Sequence, residues 1–185
     1  QAWPTVRDAD ELHDALVLLG FIDEDEINKS ECLQWNGFLQ ELQQANRATK
    51  LISPRQGKLW VAAERLQLML KVCAQYSLEN SIEALNMNEA DSDENVMIEI
   101  MRSRLEGLGP VTLSDLARPI ERSDSEVKQA ILALEQEGFV IQGHFTQSCQ
   151  QVEWCERGLL ARIHRYTLKK LRSEIEPVSA AVFMR

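Results

Sequence analysis

Apolar residues recur at helical spacing along most of this chain. Leu12, Leu16 and Leu19 form one edge between Asp10, a capping residue type, and Gly20, a terminator, so a first helix is expected there. Asp23, Glu24, Asp25 and Glu26 then read as a solvated acidic loop. Trp35, Phe38, Leu39 and Leu42 share a face of a second predicted helix over residues 30–48, and Ser53-Pro54-Arg55-Gln56-Gly57 reads as a turn. The run KLWVAAERLQLMLKVC predicts a third helix, residues 58–73, with Ala62, Leu66, Met69, Leu70 and Cys73 inward. Residues 77–85 suit a short helix.

A polar, acidic stretch over residues 89–95 has little to bury and marks the best domain boundary. Beyond it, residues 96–107 predict a helix with Met97, Ile100, Met101 and Leu105 inside. Residues 112–115 fit the cap of a second helix that Pro119 ends, and Ser123-Asp124-Ser125-Glu126 is a capping-box match opening a third. That third helix buries Val127, Ala130, Ile131 and Leu134 and closes at Gly138. Phe139, Ile141 and Phe145, then Val152 and Cys155, flank a polar tip and predict a two-stranded hairpin. Three helices and a hairpin in this order make a winged helix over residues 96–156.

The last stretch is WCERGLLARIHRYTLKKLRSEIEPVSAAVFMR. Leu160, His164, Leu168, Leu171 and Ile175 have the spacing of one buried stripe, while Arg162, Arg165, Lys169 and Arg172 project together from another face. From Arg157 on there are seven Lys/Arg against two Glu, in a chain of net charge -9. A docked basic helix that suits an acidic partner, nucleic acid included, is the expectation. The organisation is therefore mainly α: a helical subdomain (1–88), an acidic linker (89–95), the winged helix, and a basic amphipathic helix with its tail (157–185).

An acidic total excludes a simple DNA-coating protein, because non-specific affinity comes from neutralising phosphates. A second basic island nevertheless lies between residues 46 and 71, where six bases face Glu64 alone. Trp60 sits within it beside Arg55, Lys58 and Arg65. A tryptophan among cations stacks on an unpaired base, or else packs between its helix and a neighbouring domain. The winged helix itself is poorly suited to reading base edges. Its third helix offers Lys128 and Gln129 but also Glu126, Glu135 and Glu137, which repel phosphates.

The 185 residues hold one ordinary domain or two small ones, and 44% hydrophobic with 26% charged residues reads as soluble and globular. No apolar run is long enough for a membrane span. The four cysteines lack metal spacing and read as reduced thiols of a cytoplasmic protein, although Cys149 and Cys155 could face each other across the hairpin. There is no GxxxxGK(S/T) phosphate loop, and His13, His144 and His164 are linked to no nucleophile, so no catalytic residue, metal ligand or cofactor is assigned.

The terminal run, together with ELHDALVLLG, WVAAERL, RLEGLGPVTLSDLA and LEQEGFVIQGHF in that order, resembles the large helicase-related (Lhr) family of superfamily 2 DNA helicases. The likeness covers most of the chain. It implies an excised, non-motor segment, with ATP and Mg²⁺ handled by motor domains elsewhere in the same polypeptide. It further implies that single-stranded DNA passes along this region, with Trp60 stacking on a base. Arg55, Lys58 and Arg65, and Arg162, Arg165, Lys169 and Arg172, would then hold phosphates. Some relatives carry a glycosylase-like region on tandem winged helices, but no carboxylate here stands out for that role. The other readings are a dimeric winged-helix transcription regulator and a protein-interaction module; the helicase segment is expected to be a monomer without membrane contact.

Overall fold

The computed structural model describes residues 3–28, 34–80, 82, 93–147 and 149–174. It is α-rich, with two small antiparallel sheets among the described residues. Helix α1 (Ala9–Leu19) is capped by Asp8, whose side chain accepts from the Glu11 N–H, two residues before the expected Asp10; Gly20 ends it at a φ of 80°. The acidic run is not a loop. Asp23 closes strand β1 (Ile22–Asp23) and caps the one-turn helix α2 (Glu24–Ile27) in a capping box with Glu26, which is buried.

The larger correction concerns residues 45–65. Helix α3 (Trp35–Gln44) stops before Ala48, and a hairpin follows, β2 (Ala48–Ile52) and β3 (Lys58–Ala62), where a helix was expected to open. Ser53 and Gly57 close its turn through Ser53 N–H to Gly57 C=O at 2.8 Å. Helix α4 (Leu66–Val72) begins only after β3, and β4 (Ser77–Leu78) replaces part of the expected short helix. Residues 81 and 83–85 of that expectation lie outside the described residues. The sheet runs β1-β3-β2-β4 with every pair antiparallel, so the described part of the 1–88 segment mixes helices and strands rather than being all-helical.

Alternation along β3 explains both the strand and why it resembled a helix. Leu59 and Val61 face one apolar cluster, with Leu51, Met69 and Met101, while Trp60 and Ala62 face the other, with Leu16, Trp35 and Leu39. A strand buried on both faces is a continuous apolar run, and such a run carries no period that separates it from a helix.

The second half follows the expected order: α5 (Asp93–Gly107), α6 (Leu113–Ala117), α7 (Asp124–Gln136), β5 (Val140–Gly143) and β6 (Glu153–Glu156). Thr112 with Asp115, and Ser123 with Glu126, form capping boxes, and Gly138 turns the chain at a φ of 76°. Val111 bridges Trp154 and so adds a third extended segment beside the hairpin. Helix α8 (Arg157–Glu174) follows β6 directly.

The segments on either side of the acidic stretch share one core. Phe21, Leu51 and Val61 belong to the same cluster as Ile100, Ile131 and Trp154. Polar ties reinforce it: Arg104 donates to the Phe21 carbonyl at 2.7 Å and pairs with Glu26, Tyr76 donates to the Pro119 carbonyl at 3.0 Å, and Arg122 donates to the Val72 carbonyl. No helix among the described residues is long and apolar enough to cross a membrane.

Candidate nucleic-acid interface

Hydrogen bonds and ion pairs within the protein occupy most of the first basic island. Lys58 pairs with Glu24 at 3.1 Å and Arg47 with Asp10 at 2.5 Å. Arg65 donates to the Val17 carbonyl at 2.9 Å and pairs with Glu99 at 3.2 Å, so it ties α1 to α5. Arg55 lies at the exposed β2–β3 turn. Trp60 is the main correction. Its side chain is 4% exposed at the middle of the sheet, between Ile22 on β1 and Lys50 on β2, and the Lys50 ammonium lies 4.7 Å from the ring centroid. A base has no open ring face to stack on, because the alternation of β3 turns Trp60 into the core.

The second island is arranged differently. Arg162, Arg165, Lys169 and Arg172 are all exposed on α8, and none makes an ion pair among the described residues. They span eleven residues, about 15 Å of helix. The expected buried stripe is not docked, however. Leu159 is buried and Leu160 half-buried, but His164 is exposed, Leu168 is 38% exposed and Leu171 is 53% exposed; Ile175 lies outside the described residues. The reason is local: the helix leans on the body at its first turn, beside β6, and the rest extends away from it. At about 100° per residue, the centres of the apolar stripe and of the cations lie roughly 120° apart around α8. One surface can therefore cover the stripe while the cations stay open to another.

Asp124 and Glu126 of α7 are exposed and Glu135 is half-buried, and Glu126 is engaged by Arg122 at 3.1 Å. The hairpin is braced by a residue that the sequence reading passed over. The buried carboxylate of Glu153 accepts the Phe145 and Thr146 N–H groups at 2.7 Å each. Hydrogen bonding from Thr146, then from the Thr146 and Phe145 backbone, holds this carboxyl below its ordinary range. A lowered pKa in the folded state means that the bracing is complete above the ordinary carboxylate pKa and is lost as pH falls through the folded value. The Phe145 and Thr146 amide resonances are expected to move together through one acid transition in a pH series followed by NMR. Glu153→Gln should abolish that transition.

Cys73, Cys149 and Cys155 are free thiols, so Cys149 and Cys155 form no disulfide; Cys32 lies outside the described residues. Burial pushes the Cys73 thiol up to about 12 and Cys155 up to about 11, which keeps both protonated at neutral pH. His13 meets Glu64 at 3.1 Å, while His144 and His164 are exposed. Among the described residues no group of three His, Cys, Asp or Glu could hold a metal ion.

No protein-family model matches the chain, and no curated protein matches it either.

Proposed function

We propose that this chain is an accessory, non-motor segment of a large helicase-related DNA helicase, and that α8 is its contact with single-stranded DNA. The observation that carries the reading is the row of four exposed cations on a helix that projects from an acidic protein. In this reading residues 96–156 are a winged helix that acts as a scaffold. Support comes from the order of α5, α6, α7 and the β5–β6 hairpin, with Val111 as the short first strand. The resemblance carried by WVAAERL, RLEGLGPVTLSDLA and the terminal run points to the same family. ATP and Mg²⁺ would act in the motor domains of the same polypeptide, in the cytoplasm, and the segment would work as a monomer.

The test is fluorescence anisotropy of labelled single-stranded and duplex oligonucleotides titrated with this chain across a salt series. The single strand is expected to bind more tightly. Four phosphate contacts give log K a slope of about -3 against log salt. Replacing Arg162, Arg165, Lys169 and Arg172 by Ala should remove most of that slope. No binding of either oligonucleotide at low salt would reject the reading.

A second reading, a protein-interaction module, is favoured by the exposed stripe of Ile163, Leu168 and Leu171. It expects charge reversal at Arg165 and Lys169 to disturb assembly while DNA affinity stays unchanged.

A further inference from the structure

Beyond its first turn, the apolar side of α8 is open to solvent. Ile163, Leu168 and Leu171 are 36%, 38% and 53% exposed, and Leu160, half-buried, begins the same row. The row extends over about three turns, roughly 16 Å. A helix of this kind gains most of its stability by burying such a face. The row is therefore a surface for a partner, and the charge around it decides which.

At about 100° per residue, Arg172 and Arg165 lie about 40° and 60° beyond Leu168 on one edge of the row, and Lys170 lies about 20° beyond Ile163 on the other. All three are exposed, and none forms an ion pair among the described residues. Residues 157–173 contain no acid. A second α8 laid along the row would set cations against cations on both edges with no carboxylate between them. A lipid surface fits poorly for another reason: His164 lies in the middle of the row, and an imidazole is costly in hydrocarbon. A carboxylate on a facing helix can pair with it instead.

We propose that α8 takes an acidic amphipathic helix of a partner protein. Its apolar residues cover Leu160, Ile163, Leu168 and Leu171, and Asp or Glu on either side of them meet Arg165, Arg172 and Lys170. A carboxylate opposite His164 sets the register, as one polar group in an apolar seam does in paired helices. Arg162 and Lys169 lie roughly opposite the row and stay clear of this partner. The inference rests on the interaction-module reading, to which it gives a partner, and it is independent of the strand contact.

The test uses the full chain and three labelled designed peptides of about three heptads. One carries Leu along its apolar face with Glu on both flanks, the second has Lys for every Glu, and the third is a scrambled form of the first. In fluorescence anisotropy at low salt the Glu peptide should bind about tenfold or more tightly than the Lys peptide, and the gap should narrow as salt screens the pairs. The scrambled peptide should bind well below the ordered one. Leu168→Ser combined with Leu171→Ser should abolish binding of the Glu peptide while a single-stranded oligonucleotide binds as it does to the wild type; both leucines are exposed, so the core is untouched. Arg165→Glu, Lys170→Glu and Arg172→Glu together should reverse the preference to the Lys peptide, a gain that misfolding cannot produce. Equal affinity for the Glu and Lys peptides, or binding that survives the paired serine variant, overturns the acidic partner. Self-association of the chain in sedimentation velocity that the serine variant abolishes overturns it in favour of a second copy. Flotation with phosphatidylserine and phosphatidylcholine vesicles, without peptide binding, overturns it in favour of a lipid surface. Failure of the oligonucleotide alone rejects the strand contact and leaves the acidic helix standing, and failure of the Glu peptide alone does the reverse.

Discussion

Arg104→Ala should destabilise the chain by about 3–5 kcal/mol, the cost of stranding one partner of a buried ion pair. Arg104 is 3% exposed, and its guanidinium donates to the Phe21 carbonyl, pairs with Glu26 and lies 4.3 Å from the Phe21 ring centroid. Removing it leaves the Glu26 carboxylate buried with its charge uncompensated. The pair also joins α2 to α5, so the loss falls on the contact between the two halves of the molecule. Urea unfolding followed by circular dichroism reads the effect as a fall in midpoint. Arg104→Met with Glu26→Gln separates charge from packing. It removes both charges and keeps an amide oxygen to accept from the Asp23 N–H in the α2 capping box, so it should recover most of the lost stability. Equal destabilisation in the single and paired variants would show that packing, rather than the stranded charge, carries the loss.

Trp60→Ala should cost a similar amount, about 3–5 kcal/mol, because it opens a cavity in the core. The side chain lies against Leu16, Trp35 and Leu39 on the closed face of the sheet. A tryptophan that served by stacking on DNA would behave in the opposite way. Its removal would leave the urea midpoint unchanged and cost about 1–3 kcal/mol of binding per stacked base. Measuring stability and oligonucleotide affinity on the same variant therefore separates the two roles. Trp60→Phe, which keeps most of the apolar volume, should fall between the wild type and the alanine variant.

These residues also show where sequence reasoning reached and where it stopped. The half from α5 to β6 was legible because its boundaries carry local chemistry: Thr112 with Asp115, Ser123 with Glu126, and Gly138 at a positive φ mark helix ends within a few residues of chain. The β2–β3 hairpin was not. Strand β3 is buried on both faces, so the alternating assignment of Leu59, Trp60, Val61 and Ala62 to two clusters left no polar residues between them to reveal the period. Misreading that period placed Trp60 at the start of a helix among cations, when it lies inside a sheet.

Charge divided in the same way. The bases between residues 46 and 71 looked like a free island because Glu64 was the one acid near them in sequence. Their partners Asp10, Glu24, Glu79 and Glu99 come from distant parts of the chain. The Asp23–Glu26 run looked solvated for the converse reason: Arg104, which neutralises Glu26, lies 78 residues away.

By itself the sequence determined the capped helices, the hairpin that follows them, and a terminal helix with cations on one side and apolar residues on another. Each of these depends on interactions between residues a few positions apart. Only the tertiary structure decided which tryptophan is core, which cations are already paired, and that α8 projects with its stripe uncovered. Burial and ion pairing depend on which distant segments meet, and residue spacing along one stretch of chain does not contain that information.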